Sequence, residues 1–265
     1  MNSVPKKSLG QNFLLNKNII KQIVNLGEIT NKTVVVEIGP GTGNLTEEII
    51  KKKPKKIYAI EKDKDLCIKL NDKYKSDLNL INEDVLDIDW KQFSNLQCVV
   101  FGNLPYNISA KILINLIRLN ELNKNFKKLV LMFQKEVADR LIAKVNTNKY
   151  GRLTILTEWK LTAKKIIDIE PENFFPKPKV KSSLLYFEPK NDFFKFNNSK
   201  NLEKVTNIFF QNKRKMIRKP LNILFKNSNK IIEKFNLDPK TRPQNLDSST
   251  FFKISKEYEN ELNLN

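Results

Sequence analysis

The chain contains no histidine. This absence excludes a Ser-His-Asp triad, acid–base catalysis by imidazole and every metal site that needs a histidine ligand. Only two cysteines are present, Cys67 and Cys98, which are too few for a disulfide framework or a CxxC zinc site. We therefore expect two buried, reduced thiols, a cytoplasmic protein, and chemistry that uses neither a metal nor imidazole.

Long apolar runs are also missing. Uninterrupted apolar stretches such as 99–101 and 129–133 fall far below the roughly 20 residues needed to cross a bilayer. The first 17 residues hold no apolar segment of signal-peptide length and no small-residue cleavage site. Seven glycines, eleven prolines and 40% hydrophobic residues exclude a collagen-like or disordered chain. These features predict a folded, soluble protein that is not exported and has no membrane partner.

Acidic residues are scarce relative to basic ones. The chain has 48 Lys and Arg against 29 Asp and Glu, a net charge of +19, which favours a polyanionic partner. Most of these cations are lysines, a bias that genome composition also produces, so the placement of the charge matters more than its sum. The net positive charge per residue is nearly twice as high in 190–265 as in the rest of the chain. The run KRKMIRK at 213–219 contains two of the six arginines.

This basic run has two interpretations. It is either a solvated, lysine-rich helix face or a contact surface for nucleic acid. On the second interpretation, the candidate RNA-binding residues are Lys213, Arg214, Lys215 and Arg218.

Short β-rich runs alternate with helical patterns over the first 189 residues. We predict strands at 34–38, 57–60, 78–81, 98–101, 129–133, 166–169 and 183–187, and helices at 15–26, 45–53, 64–74, 109–119 and 135–144. Strands that are apolar on both faces and alternate with helices predict an α/β fold with a parallel sheet between helices. After Pro189 only helices are predicted, near 202–217, 221–225, 231–235 and 251–262. We therefore expect a catalytic α/β domain at 1–189 and a small all-α RNA-binding domain at 190–265.

Three of the seven glycines, Gly39, Gly41 and Gly43, follow the first predicted strand and precede a helix. In an open α/β sheet this turn is where a nucleotide-like ligand binds, and glycine lets the backbone approach the ligand closely. The alternative is a tight strand-to-helix turn without a ligand. The dinucleotide fingerprint GxGxxG would need glycine at position 44, where Asn44 stands, so NAD is disfavoured. The GxGxG spacing after Glu37 instead resembles the S-adenosylmethionine loop of class I methyltransferases.

Two further carboxylates stand at predicted strand ends. Glu61 follows the second strand, and a carboxylate there can accept hydrogen bonds from both ribose hydroxyls of a cofactor. Asp84 follows the third strand and can accept a hydrogen bond from the exocyclic amine of an adenine. Each alone is also compatible with an exposed acidic residue, but the pair at successive strand ends favours ligand binding.

The segment FGNLPYN follows the fourth predicted strand. An adenine amine is a poor nucleophile because its lone pair is delocalised into the ring. Two acceptors for its N–H groups, the Asn103 side-chain oxygen and the Leu104 carbonyl, favour a pyramidal nitrogen that can attack a methyl group. Pro105 keeps Leu104 out of the helical region, and the Tyr106 ring can stack on an extruded base. The alternative is an ordinary turn with a packed tyrosine.

The sequence resembles the ribosomal RNA adenine dimethyltransferase family of the KsgA type. The motifs that carry this resemblance are KSLGQNFL at 7–14, EIGPGTGNLT at 37–46, FGNLPYNIS at 101–109, FQKEVADRL at 133–141, YGRL at 150–153 and FFPKPKVKSS at 174–183. The resemblance implies a Rossmann-like class I methyltransferase sheet with helices on both faces, followed by a small helical domain. It implies S-adenosylmethionine as the methyl donor, without a metal, and transfer of two methyl groups to N6 of each of two adjacent adenosines near the 3′ end of small-subunit ribosomal RNA.

Particular residue roles follow from the same resemblance. The residues implied to bind S-adenosylmethionine, with Gly41 of the glycine loop, are Asn12, Leu14, Gly39, Glu61, Asp84 and Asn103. Asn103 and Tyr106 are implied to form the target-adenine site, and Phe174, next to Phe175, is implied to stack on the opposite face of the base. We expect a monomer whose substrate is ribosomal RNA within an immature small subunit.

Three alternatives remain at this point. A macrolide-resistance dimethyltransferase shares the glycine loop and NLPY but modifies large-subunit RNA; the RPQNLD segment at 242–247 favours the small-subunit enzyme. A non-catalytic assembly or transcription factor on the same fold would not need Asn103, Tyr106, Glu61 and Asp84. A small-molecule methyltransferase would not need the basic C-terminal region.

Overall fold

The computed structural model describes residues 5–6 and 9–263. Lys7 and Ser8, which open the KSLGQNFL motif, lie outside the described residues. The chain forms two compact units: one comprises the chain up to residue 138 together with 162–189, and the other comprises 139–161 and 190–265. The two units meet at the expected boundary near 190, but residues 139–161, which the sequence pattern assigns to the first domain, group with 190–265 instead.

In the described part of the chain, nine strands form two sheets. Their bounds are β1 Phe13–Leu14, β2 Val34–Ile38, β3 Lys56–Ile60, β4 Asn79–Ile81, β5 Cys98–Asn103, β6 Phe126–Gln134, β7 Leu161–Ile169, β8 Phe174–Phe175 and β9 Ser182–Pro189. Seven of them form a sheet with the order β4-β3-β2-β5-β6-β9-β7, and β1 pairs separately with β8. Neighbouring β2 and β5 are far apart in sequence, because the chain adds β3 and β4 on one side of β2 and then β5 and β6 on the other. The strand order therefore reverses between β2 and β5, where open α/β sheets bind ligands.

The strand directions explain where the carboxyl ends meet. Strands β4, β3, β2, β5 and β6 are mutually parallel, which confirms the expected parallel sheet for these five strands. Strand β9 instead runs antiparallel to β6. Its residues are buried on both faces for most of its length, and an apolar pattern of that kind does not determine strand direction. The sheet is therefore mixed.

Six helices begin within the first unit. Their bounds are α1 Lys17–Leu26, α2 Asn44–Lys51, α3 Lys64–Tyr74, α4 Ser109–Arg118, α5 Leu122–Asn125 and α6 Lys135–Leu141. The Asn16 side chain caps α1 by accepting hydrogen bonds from the Asn18 and Ile19 N–H groups, and Asp63 caps α3 through Asp65 N–H. Such caps satisfy donors that the helix leaves unpaired. The caps therefore fix where the helices begin beside the sheet edge.

Apolar side chains from α1, α2 and the central strands form the core of the first unit. Val35, Val99 and Phe101 of β2 and β5 are essentially inaccessible to solvent. Cys67 and Cys98 are both buried and unpaired, as expected from the sequence. Among the described residues, no helix combines the length and hydropathy that a membrane span requires.

The second unit consists of helices. Their bounds are α7 Arg152–Lys160, α8 Lys200–Gln211, α9 Arg218–Leu224, α10 Ser228–Lys234 and α11 Ser248–Asn263. Helix α7 packs against α8 and α11, which explains why 139–161 belongs to this unit. Six of its nine residues are buried, so α7 lacks the one-sided apolar periodicity by which a surface helix is recognised in a sequence.

The prediction of one helix over 202–217 is wrong at its C-terminal end. Helix α8 ends at Gln211, and 212–217 form turns before α9 begins at Arg218. Residues 211–216 are all exposed. Because short helices in proteins depend on burial of an apolar face, the exposed run does not continue the helix. The KRKMIRK run is therefore mostly an exposed turn between two helices.

Candidate active site

A cleft lies at the carboxyl ends of β2, β3 and β5, with the segment 9–13 along one wall. Its empty volume is about 970 Å³, including space open to solvent. Eight of the ten catalytic and cofactor-binding residues predicted from the sequence line it: Asn12, Gly39, Gly41, Glu61, Asp84, Asn103, Leu104 and Tyr106. The first unit thus brings together residues that are up to 94 positions apart in the sequence.

The glycine loop between β2 and α2 has a backbone that favours glycine. Gly39 has φ +67°, and a Cβ added there would meet no protein atom within 4 Å. Gly41 has φ +59°, and a Cβ there would lie 2.9 Å from the Phe13 ring. Gly39 therefore leaves open space in the cleft for a ligand, while Gly41 permits close packing of the loop against β1.

Glu61 lies directly after β3 and is only 7% exposed. Its carboxylate accepts hydrogen bonds from Gly41 N–H at 3.1 Å and from Asp63 N–H at 2.9 Å. Burial raises the pKa of this carboxyl, and the two backbone hydrogen bonds oppose that rise. Each carboxylate oxygen has a second acceptor site, so Glu61 can join the glycine loop to a ligand that carries hydroxyl groups.

Asp84 lies beyond β4 on the neighbouring part of the cleft. Its carboxylate accepts hydrogen bonds from Lys62 Nζ at 2.8 Å and from Leu86 N–H at 2.9 Å. Burial alone would raise the pKa of Asp84, but these hydrogen bonds outweigh it and the pKa is lowered. Asp84 is therefore a charged acceptor at neutral pH in the same cleft as Glu61.

Asn103 is the last residue of β5, and its amide is oriented by the N-terminal segment. Asn103 Nδ2 donates a hydrogen bond to the Asn12 carbonyl at 2.7 Å. Within the described part of the chain, Asn103 Oδ1 receives no hydrogen bond from a protein group. One amide atom is thus held by protein, while the oxygen remains an acceptor for a ligand in the cleft.

Leu104 and Tyr106 belong to the turn between β5 and α4. The Leu104 side chain is buried, and Ile108 N–H donates to the Pro105 carbonyl at 3.1 Å to close the turn. The Tyr106 hydroxyl lies 2.6 Å from Ser182 Oγ. Burial raises the pKa of Tyr106, so the phenol stays neutral. Tyr106 lines the cleft.

Two predicted residues do not reach this cleft. Leu14 and Phe174 are paired across the small β1–β8 sheet, and their side chains are 6% and 4% exposed within the core. Phe175 instead is 54% exposed, in a neighbouring groove with Leu15 and Lys69 that shares Phe13 and Gly41 with the cleft. Strand pairing directs Phe174 into the core and its neighbour outward in this conformation. The expected stacking of Phe174 on the target base opposite Tyr106 stays a prediction.

Sequence analysis missed the contacts that tie the N-terminal segment to the cleft. Asp63, the cap of α3, forms an ion pair with Lys6 at 2.7 Å and accepts a hydrogen bond from Gln11 Nε2 at 3.0 Å. Burial tends to raise the pKa of Asp63, but these contacts lower it overall. Gln11 lies within the KSLGQNFL motif, and this motif was the signal that the segment matters. No local sequence pattern, however, pairs Gln11 with a residue 52 positions away.

The candidate RNA-binding residues lie in the second unit. Lys213, Arg214, Lys215 and Arg218 are all exposed. Lys213 Nζ donates a hydrogen bond to the Asn148 carbonyl at 2.8 Å, which joins the run to the segment before α7. The four cations are thus accessible on or beside a turn.

Glu37 gives the first unit a pH-dependent stability. Its carboxyl is 1% exposed and accepts a hydrogen bond from Thr46 Oγ1 at 2.7 Å. Burial raises the pKa of Glu37 from 4.5 to about 7, so the folded protein holds a proton that the unfolded chain releases. This contribution is complete below about pH 4.5 and is lost as the pH rises through about 7.

We expect Glu37→Gln to remove this pH dependence. The free energy of unfolding of the variant, relative to wild type, should rise by up to about 3 kcal/mol between pH 4.5 and 7.5. Urea unfolding of both proteins at several pH values measures this difference. An unchanged difference across that range would contradict the assignment to Glu37.

Known proteins resemble this chain along nearly its whole length. Residues 2–260 match the family model described as ribosomal RNA adenine dimethylase. A Pelagibacter ubique protein named ribosomal RNA small subunit methyltransferase A is 53% identical over 254 residues, covering 96% of this chain and 97% of that protein. A protein of the same name from Malacoplasma penetrans is 40% identical, covering 94% of this chain and 90% of that protein.

Solved structures show the same fold. A dimethyladenosine transferase from Plasmodium falciparum superposes with a TM-score of 0.78 at 27% identity, covering 94% of this chain and 98% of that chain. The 23S rRNA methyltransferase ErmE has a TM-score of 0.68 at 19% identity, covering 94% of this chain and 99% of that chain; this similarity concerns the fold. The family model spans nearly the whole sequence, and the chain belongs to the ribosomal RNA adenine dimethylase family of methyltransferases.

Proposed function

We propose that this protein uses S-adenosylmethionine to dimethylate N6 of two adjacent adenosines near the 3′ end of small-subunit ribosomal RNA. The observation that carries the proposal is the position of Asn103. Its amide nitrogen is held by the Asn12 carbonyl, and the residue lines the same cleft as Glu61 and Asp84. An acceptor for an adenine amine therefore stands in the cleft that would hold the methyl donor.

The cleft fits the proposed methyl donor. The open space at Gly39 admits a ligand close to the backbone, Glu61 can accept hydrogen bonds from ribose hydroxyls, and Asp84 can accept one from an adenine amine. S-adenosylmethionine supplies an electrophilic methyl group on a positively charged sulfur. Among residues 5–6 and 9–263, no acidic or cysteine cluster is arranged to hold a metal ion, and the proposed chemistry needs none.

Asn103 and Leu104 have the role of activating the target amine. Two acceptors, Asn103 Oδ1 and the Leu104 carbonyl, receive the two N–H groups and favour a nitrogen whose lone pair points towards the methyl group. As the methyl carbon bonds to this nitrogen, its bond to sulfur breaks and a neutral thioether leaves. The alkylated nitrogen is then acidic and loses a proton to solvent. The Tyr106 ring offers a stacking surface for the extruded base. This route explains how a chain without histidine can catalyse the reaction.

The choice of small-subunit RNA rests on the named relatives. The Pelagibacter ubique and Malacoplasma penetrans proteins are named small-subunit methyltransferases at 53% and 40% identity. The enzyme that acts on 23S RNA shares 19% identity, which supports a common fold but not a common substrate. Adjacent adenosines must be unstacked and presented by a shaped RNA, and this requirement favours an immature small subunit over a naked oligonucleotide.

Methylation of purified particles tests the proposal. The protein is incubated with labelled S-adenosylmethionine and either immature small subunits or large subunits, and the RNA is digested to nucleosides. We expect N6,N6-dimethyladenosine in the small-subunit RNA. Label in large-subunit RNA would favour the macrolide-resistance reaction, and binding of particles without label would favour a non-catalytic assembly factor.

The basic run should supply RNA affinity and not cofactor affinity. Protein cations that contact phosphates release counterions, so their removal weakens binding and lowers its salt dependence. We expect a lower affinity for small-subunit RNA when glutamine replaces four residues: Lys213, Arg214, Lys215 and Arg218. The log–log salt slope should fall by roughly one unit for each phosphate that is no longer neutralised. Filter binding across a salt series measures both quantities.

A matched control variant distinguishes the position of the four cations from the total charge of the protein. Four exposed lysines near the amino end of β3, opposite the cleft edge, can be changed to glutamine together: Lys52, Lys53, Lys55 and Lys56. This control variant loses the same four positive charges. We expect it to keep most of the wild-type affinity for RNA and a salt dependence close to that of wild type. Equal losses in the two quadruple variants would mean that the basic run is only part of a general positive surface.

A further inference from the structure

A hydrogen bond joins the Tyr106 side chain to the main sheet. The Tyr106 hydroxyl and Ser182 Oγ lie 2.6 Å apart. Ser182 is the first residue of β9, is fully buried, and is paired in register with Gln134 of β6. The two hydroxyls are 76 positions apart in the sequence. The contact therefore connects a turn in the cleft to a rigid strand.

The hydrogen bonds of the turn that carries Tyr106 fix its main chain and not its side-chain torsions. The main chain is fixed by Ile108 N–H donating to Pro105 O at 3.1 Å and by Ser109 Oγ donating to Tyr106 O at 3.3 Å. Neither bond restrains rotation about the side-chain torsions of Tyr106. The hydroxyl at the far end of the ring is the point where one hydrogen bond restricts both torsions, because it lies farthest from the backbone.

The protonation state and the burial of the two hydroxyl groups favour a persistent hydrogen bond. Burial raises the pKa of Tyr106, so its hydroxyl keeps its proton and can donate or accept. Ser182 has no exposed surface, so water cannot easily replace either partner. A hydrogen bond in such an environment restrains geometry more firmly than one at the surface.

We propose that Ser182 is a positioning residue that holds the Tyr106 ring in the orientation required to stack on the target adenine. The inference rests on the proposed function, because it assigns Tyr106 the role of stacking surface. Ser182 itself does not line the cleft, so it acts through Tyr106. This reaction requires little chemistry from the protein beyond activating the amine. Precise orientation of the bound base therefore accounts for a large part of the rate.

The neighbouring residue offers a matched control. Ser183 is also fully buried on β9, and its hydroxyl donates to Asp168 Oδ1 at 2.6 Å. Successive strand residues point to opposite faces of a sheet, so Ser183 has no contact with Tyr106. Asp168 also accepts hydrogen bonds from Lys135 and Lys165 and stays paired without Ser183. Both serine-to-alanine changes thus remove one buried hydroxyl and one hydrogen bond.

The test compares four variants with wild type on immature small subunits: Ser182→Ala, Tyr106→Phe, the double variant with both changes, and Ser183→Ala. Single-turnover rates, the affinity for S-adenosylmethionine and urea unfolding are measured for each. We expect Ser182→Ala and Tyr106→Phe each to slow methyl transfer by about three- to tenfold, the scale of one buried hydrogen bond. The double variant should be no slower than either single variant, while S-adenosylmethionine affinity and the Ser183→Ala rate stay at wild-type values.

The coupling between the two positions decides the outcome. A purely structural role would lower stability equally in Ser182→Ala and Ser183→Ala, and any effects on rate would multiply in the double variant; this result would overturn the inference. Wild-type rates in Tyr106→Phe would overturn it as well, even if Ser182→Ala failed to fold. Absence of methyl transfer by wild-type protein would instead contradict the proposed function on which the inference rests.

Discussion

Replacing Asn103 by alanine is expected to slow methyl transfer by a factor on the order of 100 or more, the scale of deleting a preorganised polar contact in an active site. The oxygen that would accept the target N–H is lost, and with it the stabilisation of the pyramidal amine. The folded structure should survive, because Asn103 lies at the end of β5 and not inside it. Single-turnover methylation of immature small subunits, with RNA binding measured alongside, checks this result.

Asn44→Ala is the matched control. Asn44 Nδ2 donates to the Leu14 carbonyl at 2.8 Å, much as Asn103 Nδ2 donates to the Asn12 carbonyl, so both changes release the N-terminal segment by one hydrogen bond. Asn44 does not line the cleft with Glu61. If both variants lost activity equally, Asn103 would act by holding the segment, and its role as an acceptor would be wrong.

Glu61→Ala should weaken S-adenosylmethionine binding by about 1–3 kcal/mol, the scale of a hydrogen bond to a charged group. Two effects contribute. The variant loses an acceptor for the ligand, and it releases the Gly41 and Asp63 N–H groups that the carboxylate holds. Isothermal titration calorimetry with S-adenosylmethionine measures the change in affinity.

Glu48→Ala controls for the loss of a negative charge. Glu48 lies on α2, outside the cleft, and pairs with Lys51 at 3.1 Å. Its removal should leave the affinity within error of wild type. An unchanged affinity in Glu61→Ala would rule out Glu61 as part of the cofactor site, whatever Glu48→Ala shows.

The sequence alone predicted those elements whose patterns are local. The strand Val34–Ile38 and the helix Lys64–Tyr74 have the bounds expected from the apolar pattern. The cleft was also predictable, because the glycine loop and Glu61 directly follow parallel strands and Asn103 ends one, and parallel strands place their carboxyl ends at one edge.

Long-range strand pairing was not predictable in the same way. Leu14 and Phe174 belong to the same family motifs as residues in the cleft, yet the β1–β8 pairing turns both into the core. That pairing joins segments 160 positions apart, and a two-residue strand has too few residues to show any periodicity. The contact between Tyr106 and Ser182 was missed because these residues are also far apart in the sequence.

The division into units was only partly predictable. The change from a mixed to a helical pattern at 190 is visible in the sequence. It coincides with the start of the longer of the two segments that form the second unit. Helix α7 is buried nearly all round, so its pattern does not reveal that it packs with α8 and α11, which follow it by tens of residues.

The most direct test of the central claim is to map N6,N6-dimethyladenosine in ribosomal RNA from cells with and without this protein. The account predicts two adjacent dimethylated adenosines near the 3′ end of small-subunit RNA in cells that contain the protein. It also predicts their loss in cells that lack it, and their return with wild-type protein but not with Asn103→Ala. Dimethylation that persists without the protein, or that disappears from large-subunit RNA instead, would contradict the account.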